Sequence, residues 1–384
     1  MINLNNRKLP TVTTGVAYRS DAAGSAHADY DLACLKGAKA LGPNIGPPRT
    51  LPAGLANLPR PEKEDEAGLG QMNGKVWNKR SAAAPTASLG KLVEHLERHG
   101  VAPADAARGH LLDDVDGLYL AGAPSAVHSQ VGAKVKVPTA SPEDAVKRTE
   151  RDNRADYEHQ LIAEARTRGM PVLAVCAGSW RLLEAMGGHT QTLEKGEARK
   201  KHYQPGNGTW NTSHGLDVGN DASVLRGTIH GVKTLDKVNS THWATAATIQ
   251  GADKRVSLAP APEDGATETL KNLRKLGRLP SAPHELTITA TASKEDGKAS
   301  PSVEVEAFET RHGAPMMGVQ WHPESYLPDA PGRAEAEART VEQAENLFKA
   351  FAQAQTAYHA RQDLNAEFLN EKSAALRAHA EINS

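Results

Sequence analysis

Residues 171–188 read PVLAVCAGSWRLLEAMGG. An apolar run from 171 to 175, opened by Pro171 and followed by a helical pattern, predicts a buried strand entering a helix. The turn between them holds Cys176, Ala177 and Gly178. Small residues suit so crowded a corner, and Gly187-Gly188 closes the helix. A helix N-terminus offers free backbone N–H groups and the positive end of its dipole, both of which favour a thiolate. Taken alone, Cys176 still reads as a buried core cysteine, since free cysteine is among the most buried residue types.

The pattern on either side of this corner sets the fold class. Thr11–Ser20 alternates Val12, Val16 and Tyr18 as a first strand. Ala28–Leu41 follows as a helix, and Leu89, Leu92, Val93 and Leu96 recur at helical spacing behind Ser88. Val115–Leu120 is a short strand ending in Ala121-Gly122-Ala123-Pro124. Asp144–Arg168 forms a helix with Tyr157, Leu161, Ile162 and Ala165 inward, stopped by Gly169. Strand and helix in alternation predict an α/β, flavodoxin-like three-layer fold. Its central sheet is mainly parallel, with helices on both faces. Beyond Gly215 shorter alternating stretches (215–218, 235–238, 245–249, 286–292 and 303–310) predict a small antiparallel β part. Gly318–Trp321 is expected as a last core strand. Ala334 to about Ala378 is expected as a C-terminal helix with Leu347, Phe351, Ala354 and Tyr358 as its docking stripe.

Residues 1–10 are expected as a tail, 11–358 as one domain with insertions at about 42–88 and 260–283, and 359–384 as a helical extension. The 384 residues carry a net charge of −1 with both signs interspersed, which argues against nucleic acid as a partner. No apolar run approaches membrane length, and the N-terminus lacks a secretory core, so a cytoplasmic location is expected. Cys34 and Cys176 are the only cysteines, which excludes a disulfide framework.

A second motif changes the odds for Cys176. Residues 318–324 read GVQWHPE. His322 and Glu324 lie two apart in an extended stretch and so face the same way. A carboxylate there holds the imidazole Nδ1–H and leaves Nε2 toward a thiol. Without Cys176 the motif would read as a surface turn; with it, a Cys-His-Glu triad is the stronger reading. The amides of Ala177 and of Gly122 or Ala123 are candidate oxyanion donors.

These segments, with Asp116–Ser125 (DGLYLAGAPS) and Val238–His242 (VNSTH), resemble the class I glutamine amidotransferase superfamily. They are most similar to the γ-glutamyl-γ-aminobutyrate hydrolase group of Peptidase C26-like enzymes. The resemblance implies a cysteine hydrolase that cleaves a γ-glutamyl or related small amide through a thioester. It implies Cys176, His322 and Glu324 as the triad and no cofactor. A small amide is the expected partner, and a homodimer is allowed. Two alternatives stand beside it: a glutaminase subunit that delivers ammonia to a partner synthase, and a non-catalytic or translocated effector-type binding protein on the same fold.

The chain departs from the family at two places. The family reads Cys-Arg-Gly-x-Gln where this chain has Cys176-Ala-Gly-Ser-Trp180, and Val-Asn-Ser-x-His-His-Gln where it has Val238-Asn-Ser-Thr-His-Trp-Ala244. Trp180 and Trp243 are expected either to narrow or line the substrate pocket or to pack away from it. Asn239, Ser240 and His242 are expected near the substrate, Asn239 chiefly as a backbone brace. His202, His214, His230 and His242 fit no tight ligand spacing, so no metal site is expected.

Overall fold

A computed structural model of the chain describes residues 9–17, 30–51, 112–113, 115–122, 142–193, 202, 212–219, 222–262, 266–293 and 303–382. The expected helix around 89–96, Ala123, residues 52–88 of the first expected insertion and most of the expected tail lie outside these residues.

The strands are β1 (Thr14–Ala17), β2 (Arg49–Leu51), β3 (Gly117–Leu120), β4 (Val172–Val175), β5 (Thr190–Thr192), β6 (Thr212–Val218), β7 (Thr234–Asn239), β8 (Ala244–Ala246), β9 (Thr248–Gln250), β10 (Val256–Leu258), β11 (Leu286–Ala292), β12 (Val305–Thr310) and β13 (Met316–Val319). The helices are α1 (Tyr30–Gly37), α2 (Pro142–Arg168), α3 (Ala177–Ala185), α4 (Val224–Thr228), α5 (Glu268–Lys275) and α6 (Ala338–Ile382). Nine of the strands form one sheet in the order β2-β1-β3-β4-β13-β12-β11-β6-β7. From β2 to β13 all neighbours are parallel; from β13 to β7 all are antiparallel. The antiparallel part is therefore no separate unit but continues the parallel sheet edge to edge.

Alternation along the central strands makes the three layers. Leu118 and Leu120 of β3, Val172 and Ala174 of β4 and Met316 of β13 pack with Ile162, Leu182 and Leu183 of α2 and α3. Tyr119, Leu173, Val175, Met317 and Val319 point the other way, onto Leu35, Leu347, Phe348 and Phe351 of α1 and α6. A period of two buries each strand on both faces, as a covered parallel sheet requires.

The structure adds detail to three expected stretches. Arg49–Leu51, placed in an unpacked insertion, pairs with β1 as the sheet edge, and Leu51 is buried. Within the stretch expected as an insertion over 260–283, α5 is capped by the Thr267 hydroxyl and sends Leu270 and Leu273, three apart, into the core. The strand expected over 245–249 is two strands, divided at Ala247, whose amide donates to His189 O while its carbonyl accepts from Ala259. Helix α6 runs unbroken through the expected boundary at 358. Its first half is anchored by Gln355 Nε2 on Thr14 Oγ1 at 2.7 Å and by His359 Nδ1 against Asp116 Oδ1 at 2.7 Å. From Arg361 through Ser373 its residues are exposed.

Candidate active site

Strand β4 ends in Cys176, whose φ of 51° and ψ of −112° lie outside the regions open to most side chains. Such a backbone costs on the order of 1–3 kcal/mol, so the surroundings must hold it. They do so at both peptide groups. The Cys176 amide donates to Val319 O of β13 at 2.8 Å, and its carbonyl accepts from Ser179 N at 3.0 Å and Ser179 Oγ at 2.7 Å. The corner rests on Leu120 of β3, where a Cβ on Gly178 would stand 2.2 Å from the Leu120 carbonyl oxygen. Helix α3 then starts at Ala177. Its first N–H groups have no carbonyl a turn earlier to bond.

Strand β13 delivers the partner. Past Val319 the chain reaches His322 and turns into a 3₁₀ segment, Pro323–Tyr326. His322 Nδ1 is 2.7 Å from Glu324 Oε1, and Glu324 is wholly buried. A carboxylate accepts only, so Nδ1 carries the proton and Nε2 faces Cys176 and Thr241 Oγ1, the latter at 3.3 Å. Burial pushes the imidazole pKa down. The charge of Glu324 and the thiol of Cys176 push harder the other way, and His322 ends well above 6.5. Cys176 and His322 are each 5 % exposed, so their contact lies beneath the surface yet touches solvent. Gly122 fits between them, for a Cβ there would lie 2.7 Å from His322 Cε1 and 3.2 Å from Cys176 Cβ.

The other expected site residues separate. Asn239 holds the backbone of His322. Ser240 is buried, with its hydroxyl donating to His202 O at 2.9 Å. His242 is buried completely, its Nδ1 on Ala244 O at 2.9 Å, so it does not line a cleft. Trp180 packs inward at 2 % exposure beside Ala177 and Ala244, and its Nε1 donates to Gln320 Oε1 at 2.7 Å. Trp243 meets it edge-on and stays half-buried. Of the two tryptophans, Trp243 alone retains appreciable exposure.

Thr241 and Gln320 are contacts the motif reading left out, although both lie inside the quoted or adjoining stretches. The histidines bring the larger surprise. His230 is exposed beside Glu342, but His202, His214 and His242 converge with Glu306 in the interior, with one ligand atom of each within 4.8 Å of the others. Burial takes His214 down to about 4, against the pull of Glu306, and lowers His242 as well, so both imidazoles are neutral.

A cysteine at a strained strand-to-helix corner, facing a His-x-Glu pair that follows the neighbouring parallel strand, is the arrangement that the sequence resemblance to class I glutamine amidotransferases implies. The Peptidase C26 family model matches residues 100–277, a stretch that includes Cys176 and ends before His322. Among solved structures, a protein described as a GMP synthase subunit from Thermoplasma acidophilum is 11 % identical over 92 % of this chain and 98 % of that one, with a TM-score of 0.44. The glutaminase domain of Trypanosoma brucei CTPS with bound acivicin is 14 % identical over 90 % of this chain and 94 % of its own, also at 0.44. A glutamine amidotransferase from Thermotoga maritima is 15 % identical over 70 % and 90 %, at 0.32. No curated protein matches the chain. The family-model match supports a hydrolase of the Peptidase C26 kind. Among the described residues no helix is long and apolar enough to cross a membrane.

Proposed function

We propose that the chain hydrolyses a γ-glutamyl or related small-molecule amide through a thioester on Cys176. The observation that carries this reading is the meeting of Cys176 and His322 around Gly122, with Glu324 bound to the far side of the imidazole.

The raised His322 pKa favours a protonated imidazole at neutral pH, ready to stabilise a thiolate once one forms. The thiolate attacks the amide carbonyl, and the electron pair moves onto oxygen. The amides of Ala177 and Gly122 are the proposed donors to that oxyanion. His322 gives its proton to the leaving nitrogen, the C–N bond breaks, and a thioester remains. His322, now neutral, takes a proton from water as it attacks the thioester; the C–S bond then breaks, which restores the Cys176 thiolate and releases the acid product. Glu324 keeps Nε2 aimed at the sulfur throughout and balances the imidazolium. Trp243, half-buried at the edge of the turn, is the proposed contact for the leaving group.

A panel of γ-glutamyl amides tests this by free-amine release and by mass spectrometry of the trapped enzyme. Acylation at Cys176 and its loss in Cys176→Ala are expected. Undiminished hydrolysis by Cys176→Ala would refute the mechanism.

A further inference from the structure

The four converging side chains come from residue 202, β6, the turn after β7, and β12. Their exposures are 0 % for His202 and His242, 3 % for His214 and 1 % for Glu306. Burying a carboxylate ordinarily requires donors around it. Neither oxygen of Glu306 has a hydrogen-bond partner of acceptable geometry, nor do His214 Nε2 and His242 Nε2. Yet Glu306 Oε1 is 3.3 Å from His202 Nδ1, 3.3 Å from His242 Nε2 and 3.6 Å from His214 Nε2.

The outward side of each ring explains why. His214 Nδ1 is 3.0 Å from Gly215 O, His242 Nδ1 is 2.9 Å from Ala244 O, and His202 Nε2 is 2.9 Å from Glu304 Oε2. Carbonyls and carboxylates accept only, so these outward nitrogens carry the protons. The three inward nitrogens then present lone pairs. Ser240 does not fill the gap at His202, because its hydroxyl already donates to the His202 carbonyl. Three lone pairs and an anionic oxygen thus face one point with no donor among them.

Two occupants relieve this, a shared proton or a cation. One proton satisfies a single N···O contact and leaves the other two opposed, and it favours a separation near 2.9 Å. A four-coordinate metal with ligand bonds of about 2.1 Å sets its ligands about 3.4 Å apart, which matches the distance from Glu306 Oε1 to each of the three nitrogens. Outward anchoring of every imidazole by an acceptor is also the usual support of metal-bound histidine.

We propose that His202, His214, His242 and Glu306 form a closed, structural site for a divalent transition metal, with zinc the best match to three imidazole nitrogens and one carboxylate oxygen. The metal ties the turn at 239–242 to β6 and β12. That turn alternates its duties: Asn239 and Thr241 serve His322, while Ser240 and His242 serve the metal cluster. The ion therefore acts on His322 through position, outside the hydrolytic steps.

The test uses the full chain purified without chelator. About one zinc per chain is expected by elemental mass spectrometry. Stripping should lower Tm by several degrees, and zinc alone should restore it. Cobalt(II) alone, added to the stripped protein, should give the strong visible bands of four-coordinate nitrogen and oxygen ligation. Glu306→Gln and His242→Ala should weaken zinc binding at least about 100-fold, while Cys176→Ala should bind as wild type does. Wild-type protein that is folded, metal-free as purified, and unmoved in Tm or colour by excess zinc or cobalt would overturn the proposal. So would metal lost in Cys176→Ala and kept in Glu306→Gln. These readouts need no turnover, so they stand or fall apart from the amidase reading.

Discussion

Asn239 grips the backbone of His322 from both sides: its Nδ2 donates to the His322 carbonyl at 3.0 Å, and its Oδ1 accepts from the His322 amide at 2.9 Å. One side chain at the end of β7 thereby mimics a strand neighbour for the residue after β13. Replacing it by alanine leaves a buried donor and acceptor unpaired, at a cost of about 1–3 kcal/mol each. Asn239→Ala is expected to lower both Tm and kcat. Asn239→Asp can still accept from the amide but cannot donate to the carbonyl, so it should fall between wild type and the alanine variant. Calorimetry with kinetics on one γ-glutamyl substrate checks the order, and equal behaviour of the two variants would contradict it.

Gly122→Ala should damage chemistry more than folding. The new methyl group would press on His322 Cε1, and a displacement of the imidazole by about 1 Å is worth roughly 100-fold in rate. Expected are a kcat/KM loss of that order and a Tm close to wild type. A fully active Gly122→Ala enzyme would remove Gly122 from the site.

His322 also makes stability depend on pH. Its folded pKa is raised above the ordinary 6.5, so the folded state holds this proton more tightly than the unfolded chain does. The resulting stabilisation is complete below about pH 6.5 and drains away as pH rises through the folded value. Melting curves of wild type and His322→Gln at rising alkaline pH should therefore converge, and divergence would reverse the assignment. Hydrolysis should weaken over the same range as the imidazolium loses its proton.

Helix α5 offers a packing test remote from the thiol. Leu273→Ala should cost about 2–5 kcal/mol, the usual range for a buried leucine. Lys271→Ala, on the exposed side of the same helix, should stay within about 0.5 kcal/mol. Urea unfolding of both variants checks that α5 is docked through its leucines.

What could be read in advance follows the range of the physics. Cys176 with its strand and helix, and His322 with Glu324, are each written within a few consecutive residues, where periodicity and turn chemistry operate. Helix α5 was hidden because six of its eight residues are polar or charged, and only Leu270 and Leu273 mark its inner face. The inward packing of Trp180 depends on Gln320, which lies 140 positions away. The histidine cluster was less legible still. Its members are spread from 202 to 306 and meet because β6 and β12 are brought close through β11. Spacing rules describe ligands on one loop or one helix, and they are blind to a set assembled across antiparallel strands.

The bond from the Cys176 amide to the Val319 carbonyl closes the ladder between β4 and β13. The sulfur is thus registered by the same zipper that holds the centre of the molecule, and the imidazole, three residues past Val319, is tied beside it by Asn239. Under the proposed chemistry, melting of that central ladder takes the sulfur's alignment with it. Residual turnover in a half-melted sample would then serve as a direct gauge of how many molecules are still native.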